Sequence, residues 1–122
     1  MVKAVRGATS IEKNNNKSME DAVYELISSI AETNNISEEN IISIIFSQTK
    51  DLDIANPAAA LRVSGKYTEV PLFCTQEPDY EVSIPSIVRV LLTYNTDLTN
   101  QVQPVYLGRA SQLRTDLNIS AK

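Results

Sequence analysis

Two arginines, a glutamate and a tyrosine are the residues of this chain that could act on a small anion. Arg89 stands in SIVRVLLT, residues 86–93, where Ile87, Val88, Val90 and Leu91 flank it and both faces of the strand read as covered. A guanidinium in that setting must reach an anion or several acceptors, because an unpaired buried charge is expensive. Two readings stay open: an arginine on the solvent side of an edge strand, or a cationic group aimed into a pocket for a small anionic ligand. Arg6 precedes Gly7 in an early strand, and a glycine there permits a bend or the close approach of backbone or ligand. That makes Arg6 the second anion candidate. Glu77 ends the run LFCTQE, and its carboxylate could accept from a hydroxyl or an arginine. Tyr106 offers a hydroxyl donor from an apolar wall. Cys74 has no histidine to activate it, so a nucleophilic role lacks its base, and a small hydrophobe or weak hydrogen-bonding group remains.

The elements that must hold these residues follow from periodicity. Residues 2–10 alternate as a strand. Residues 12–17 are a polar loop, and Ser18 is the expected helix cap, with Glu20 and Asp21 in the first turn. Met19, Ala22, Val23, Leu26, Ile27 and Ile30 then recur at three and four, an amphipathic helix ending near Asn34 and Asn35. A short helical turn over 37–40 leads to IISIIFS, residues 41–47, a covered β-branched strand. Asn56-Pro57 is a helix start, and the short helix over 57–63 carries Arg62 and closes at Gly65. Strands are expected at 72–77, at 86–94 and at 102–107, followed by a possible helical turn over 109–113. The expected fold is α+β: a mixed β-sheet covered on one face by one long and one short helix.

At 122 residues with 43% hydrophobic content, the chain is long enough for one core and too apolar for disorder. Residues 1–117 read as a single domain and 118–122 as a C-terminal tail. The net charge of −4, with no basic run, argues against nucleic acid as a partner. No apolar stretch reaches membrane-spanning length and no signal core stands at the N-terminus. One cysteine allows no intrachain disulfide, and a reducing cytoplasm is the expected compartment. Zero histidines and no zinc, phosphate-loop or dinucleotide spacing leave no cofactor or metal implied.

Taken in order, Arg6-Gly7-Ala8-Thr9, the Thr49, Asp51, Leu52 loop leading to Pro57-Ala58, Val70-Pro71 with Cys74 and Gln76-Glu77, Arg89, Thr96-Asp97, Val105-Tyr106-Leu107, Leu113-Arg114 and Asp116-Leu117 form one pattern. It resembles the monofunctional, trimeric chorismate mutases of bacteria, from the first strand almost to the C-terminus. The resemblance implies a trimeric pseudo-α/β-barrel with an active site in each cleft between neighbours. It also implies a cofactor-free rearrangement of chorismate to prephenate, a [3,3] pericyclic step toward phenylalanine and tyrosine. In that picture Arg89 donates to the ether oxygen that gains charge as its bond breaks. Arg6 and Tyr106 meet substrate carboxylates, and Glu77 accepts from the ring hydroxyl with Cys74 nearby at the same end. Ala58, Phe73 and Leu113 shape the wall, and Arg62 and Arg114 flank the mouth or its C-terminal cover.

Three positions depart from the family pattern: Asn56 stands where phenylalanine is usual, Ala59 where a lysine or arginine is common, and Phe73 where a small polar residue is familiar. They bear on substrate affinity more than on the chemical step. Two other functions compete with the mutase reading. One is an enamine or imine deaminase of similar trimeric fold. The other is a catalytically weak or inactive trimeric anion-binding or regulatory protein.

Overall fold

The computed structural model describes residues 1–79 and 84–114. Residues 80–83 and 115–122, the expected tail at 118–122 among them, lie outside the described residues. Five strands form one mixed sheet: β1 (Val2–Ser10), β2 (Ile41–Gln48), β3 (Leu72–Gln76), β4 (Ile87–Asn95) and β5 (Val105–Tyr106). The order across it is β3-β2-β4-β1-β5, with β4 antiparallel to both β1 and β2, while β3 and β5 run parallel to their neighbours. Helices α1 (Asn16–Thr33) and α2 (Pro57–Val63) pack on one face. Short 3₁₀ segments at Glu38–Asn40 and Gly108–Arg114 complete the order. The α+β class and the one-sided helical cover are as the sequence implied.

The core fills the space between helices and sheet. Met19, Val23, Leu26, Ile27 and Ile30 of α1 meet Val5, Ile44, Phe46, Val88, Val90 and Leu92 from the sheet, and Leu61 from α2. Gly7 lies on this side. A methyl group there would come within 2.8 Å of Ile30 Cδ1 and 2.9 Å of the Val105 carbonyl. What Gly7 permits is therefore the approach of α1 and β5 to β1, which sets where Tyr106 stands.

The start of α1 differs from expectation. Asn15, not Ser18, is the cap: its side chain accepts from the Ser18 N–H at 2.8 Å, so Glu20 and Asp21 fall outside the first turn. The asparagine run at 14–16 offers an earlier cap, and the helix takes it. The last strand is also shorter than expected. Gln103 exchanges both backbone groups with the Asn34 side chain, at 2.7 and 2.9 Å, and Pro104 has no N–H to give a ladder. Only Val105 and Tyr106 are left to pair with β1. The Asn56 cap is as expected, accepting from the Ala58 and Ala59 N–H groups at 2.8 and 3.1 Å.

One loop pins the start of β4. Asp51 Oδ2 accepts from Ser86 N–H at 2.9 Å and from its hydroxyl at 2.8 Å, which holds Ser86 at φ 57°. Thr49 exchanges bonds with Ile87 beside it. Burial alone would raise the Asp51 carboxyl, but hydroxyl bonds from Thr49 and Ser86 and backbone N–H bonds outweigh it and hold it below its ordinary 3.8. A depressed carboxyl stabilises the fold at pH values above the unfolded-state value, and that stability is lost as pH falls through the folded value. Asp51→Asn is therefore expected to melt lower than the parent at pH 7. The gap should close as pH falls below 3.8, followed by circular dichroism melts. A gap independent of pH would show that the loop draws nothing from the charge.

Candidate active site

Among the described residues, the face of the sheet turned away from the helices is open over Arg89, Leu91, Ile45 and Phe73. Strand β4, expected to be covered on both sides, is the central strand, yet Arg89 points to this open face with its side chain 48% exposed. Neither the edge-strand reading nor full burial describes it. Strand β2 is likewise covered on one side only, with Ile45 41% exposed. The reason is shared: both described helices lie on the other face.

Register places the residues. Directly across the sheet run Tyr106, Ala8, Arg89, Ser47 and Thr75, one from each strand. Two residues along β1 and β4, the next row is Arg6, Leu91, Ile45 and Phe73. Paired residues share a face, so Arg6 and Arg89 are diagonal neighbours, a spacing of roughly 7–8 Å between such positions. Just past the end of β3, Glu77 continues the alternation of Phe73 and Thr75. Its N–H bonds the Gln48 carbonyl at 2.8 Å, its Oε1 lies 3.4 Å from Arg89 Nε, and its Oε2 accepts from the Ser47 hydroxyl at 2.6 Å. Two guanidinium groups against one carboxylate leave a net positive site. Planar forks of this kind match carboxylates and oxyanions.

Tyr106 is half-buried and engaged with its surroundings. It joins Ile84 and Leu113 against the buried Ala8, Ile87 and Ala110, so the 3₁₀ segment lays Leu113 over this end of the row. That segment is fixed by the Arg109 N–H on Ser10 Oγ at 3.1 Å and by Arg109 Nη1 on the Pro85 carbonyl. Phe73 is 65% exposed beside Ile45 on the open face. The described structure thus gathers Arg6, Arg89, Glu77, Tyr106, Phe73 and Leu113 on one side of one sheet.

Three other candidates stand elsewhere. Cys74 was expected beside Glu77, but it pairs with the fully buried Phe46 and turns to the helix side, against the core. Its thiol donates to Gln48 Oε1 at 3.1 Å, and burial pushes the thiol up, which keeps it protonated and unreactive. Ala58 does not line the open face of this protomer: it lies on the buried side of α2, in the core. Arg62 is exposed in the last turn of α2, on the helix side of the sheet. Arg114 ends the 3₁₀ segment, and its side chain lies outside the described residues.

The cleft of about 430 Å³ lined by Lys3, Asn34, Tyr94 and Asn100 lies at the far end of β1 and β4 from Arg89. Cleft size and charge disagree here. Charge is the better guide, because a site completed by a second protomer need not be concave in the first. Among the described residues, no three cysteine or acidic side chains gather as a metal would require. No described helix is long and apolar enough to cross a membrane.

Comparison with known proteins points the same way as the charge. The model of the family described as chorismate mutase type I matches residues 2–117. The chorismate mutase AroH of Bacillus subtilis is 31% identical over 121 residues, covering 98% of this chain and 95% of that protein. The chorismate mutase AroH of Thermus thermophilus is 39% identical over 119 residues, covering 96% and 97%. A solved chorismate mutase from Clostridium thermocellum superposes with a TM-score of 0.85 at 39% identity, covering 90% of this chain and 98% of that one.

Proposed function

From the premise that this chain belongs to the chorismate mutase type I family, and so rearranges chorismate to prephenate, we propose that it works as a homotrimer whose sites are completed between protomers. The observation that carries this reading is the open sheet face. It holds the two arginines in diagonal register, and around them it exposes Ile45, Leu91, Phe73 and Val2. An apolar patch of this breadth rimmed by charge fits a surface covered by a partner. Three sheets meeting through these faces would form the pseudo-barrel, with helices outside. The residues that the protomer keeps from Arg89, namely Cys74, Ala58 and Arg62, sit on or behind the free edge made by β3. A neighbour docking there would bring that edge toward another protomer's arginines.

The rearrangement needs no proton transfer and no nucleophile. One carbon–oxygen bond lengthens while a carbon–carbon bond forms, and negative charge grows on the ether oxygen. Arg89 is the donor placed for that oxygen. Arg6 and Tyr106 meet the carboxylates, and Glu77 accepts from the ring hydroxyl. Catalysis is then confinement of a compact conformer plus charge stabilisation by donors already in place. The half-buried free thiol of Cys74 supports a reducing cytoplasm as the compartment.

Purified protein is expected to form prephenate from chorismate without added metal or cofactor, at a light-scattering mass three times the 13.5 kDa chain. No prephenate would overturn the activity. A fully active species of single-chain mass would overturn the trimer alone.

A further inference from the structure

Ser47, in the middle of the central row, makes its described side-chain contact to a site residue. Its hydroxyl donates to Glu77 Oε2 at 2.6 Å, a length typical of a strong hydrogen bond to a carboxylate. On the sheet it stands directly opposite Arg89 on one side and Thr75 on the other. Glu77 has already left β3, and its backbone N–H is anchored by the bond to the Gln48 carbonyl. A glutamate side chain at a strand end has three rotatable bonds. With one oxygen tied to Ser47, the other is left 3.4 Å from Arg89 Nε. That distance is longer than a tight ion-pair hydrogen bond, so the guanidinium is steered without being closed off from a ligand.

We propose that Ser47 is a positioning residue of the active site: by holding Oε2 of Glu77, it aims Oε1 and the Arg89 guanidinium at the substrate. The assignment rests on the roles given above to Glu77 and Arg89. Ser47 itself touches no reacting atom. What it supplies is alignment, and loss of alignment is felt most where the donor matters most, at the developing charge on the ether oxygen. Serine suits this task because its hydroxyl is short and rises directly from the strand, so little freedom is left in the bond.

The test compares Ser47→Ala, Ser47→Thr, Glu77→Gln and the double variant Ser47→Ala with Glu77→Gln, all as the full chain. Ser47→Ala should lower kcat on the order of tenfold, the usual effect of losing a hydrogen bond to a charged group, with a smaller change in KM. Ser47→Thr keeps the hydroxyl and should recover most of the loss. In the Glu77→Gln background, adding Ser47→Ala should cost little more, since the carboxylate through which it acts is gone. A merely structural serine would give the same loss in both backgrounds, and that result would overturn the proposal. So would full kcat in Ser47→Ala, or an unaffected Glu77→Gln in an active parent. A parent without prephenate formation would instead fail the function reading, and the positioning role with it.

Discussion

Arg89→Lys, or more cleanly replacement of Arg89 by citrulline, is expected to lower kcat by roughly a hundredfold or more while changing KM far less. The ether oxygen carries little charge in bound chorismate and much more as its bond lengthens. A fixed guanidinium aimed at that oxygen is therefore worth most in the transition state. Removing one such donor typically costs about 2.7–4 kcal/mol. The setting favours the upper part of that range. Arg89 sits on the central strand, opposite Ala8 and Ser47, with Glu77 beside its Nε, so its position is set before substrate arrives. Lysine keeps the charge but loses the planar fork and the Nε contact to Glu77, so it should rescue only in part. Arg6 provides the contrast: in its proposed role it would meet a carboxylate that is as anionic before reaction as during it, so its loss belongs mainly in KM. Steady-state kinetics on the Arg89 variants and the parent decide the matter. An Arg89→Lys enzyme with altered KM and intact kcat would make Arg89 a ground-state anchor.

Much of this arrangement could be read in the sequence, and the reasons the rest could not are local. An arginine among β-branched residues marked Arg89, and the three-and-four repeat from Met19 to Ile30 gave the helix that covers the core. The split between Cys74 and Glu77 was also open to reading. Residues three apart on an extended chain face opposite ways, so the two could not share a side of β3. The cap at Asn15 was hidden by its neighbours, since three asparagines at 14–16 with Ser18 two residues further on offer the helix several starts. Ser47 could not have been found at all from local pattern. Its importance comes from standing opposite Arg89, and that register is set by antiparallel pairing across a long stretch of chain, with an irregularity between Ile41 and Ser43. The open face was missed because IISIIFS reads as covered on both sides. The described residues supply no cover for one of those sides.

That missing cover leads to the second large effect. If the proposed trimer forms through the open face, Ile45→Asp is expected to yield a folded single chain with prephenate formation reduced at least about a hundredfold, since half of each composite site would be lost with the neighbour. Ile45 lies between Leu91 and Phe73 in the open row, 41% exposed, so an aspartate there faces water in the isolated protomer and leaves the helix-side core untouched. In the proposed trimer the same position would be covered. Covering the 41% of Ile45 still exposed is worth less than half of the about 1.5–3 kcal/mol for burying a whole isoleucine, on the order of 1 kcal/mol, and it is lost once per protomer. The closed symmetry of a trimer repeats that loss at all three copies. Each carboxylate in the interface adds a desolvation cost with no basic group directly opposite to offset it. Aspartate is chosen over glutamate because its shorter side chain is less able to reach Arg89 diagonally. Light scattering, circular dichroism and turnover on the same sample make the test. Association is concentration-dependent, so activity should return in part as protein concentration is raised. A trimer that persists with Ile45→Asp, or a single chain that keeps the parent kcat, would show that the open face is not where protomers meet.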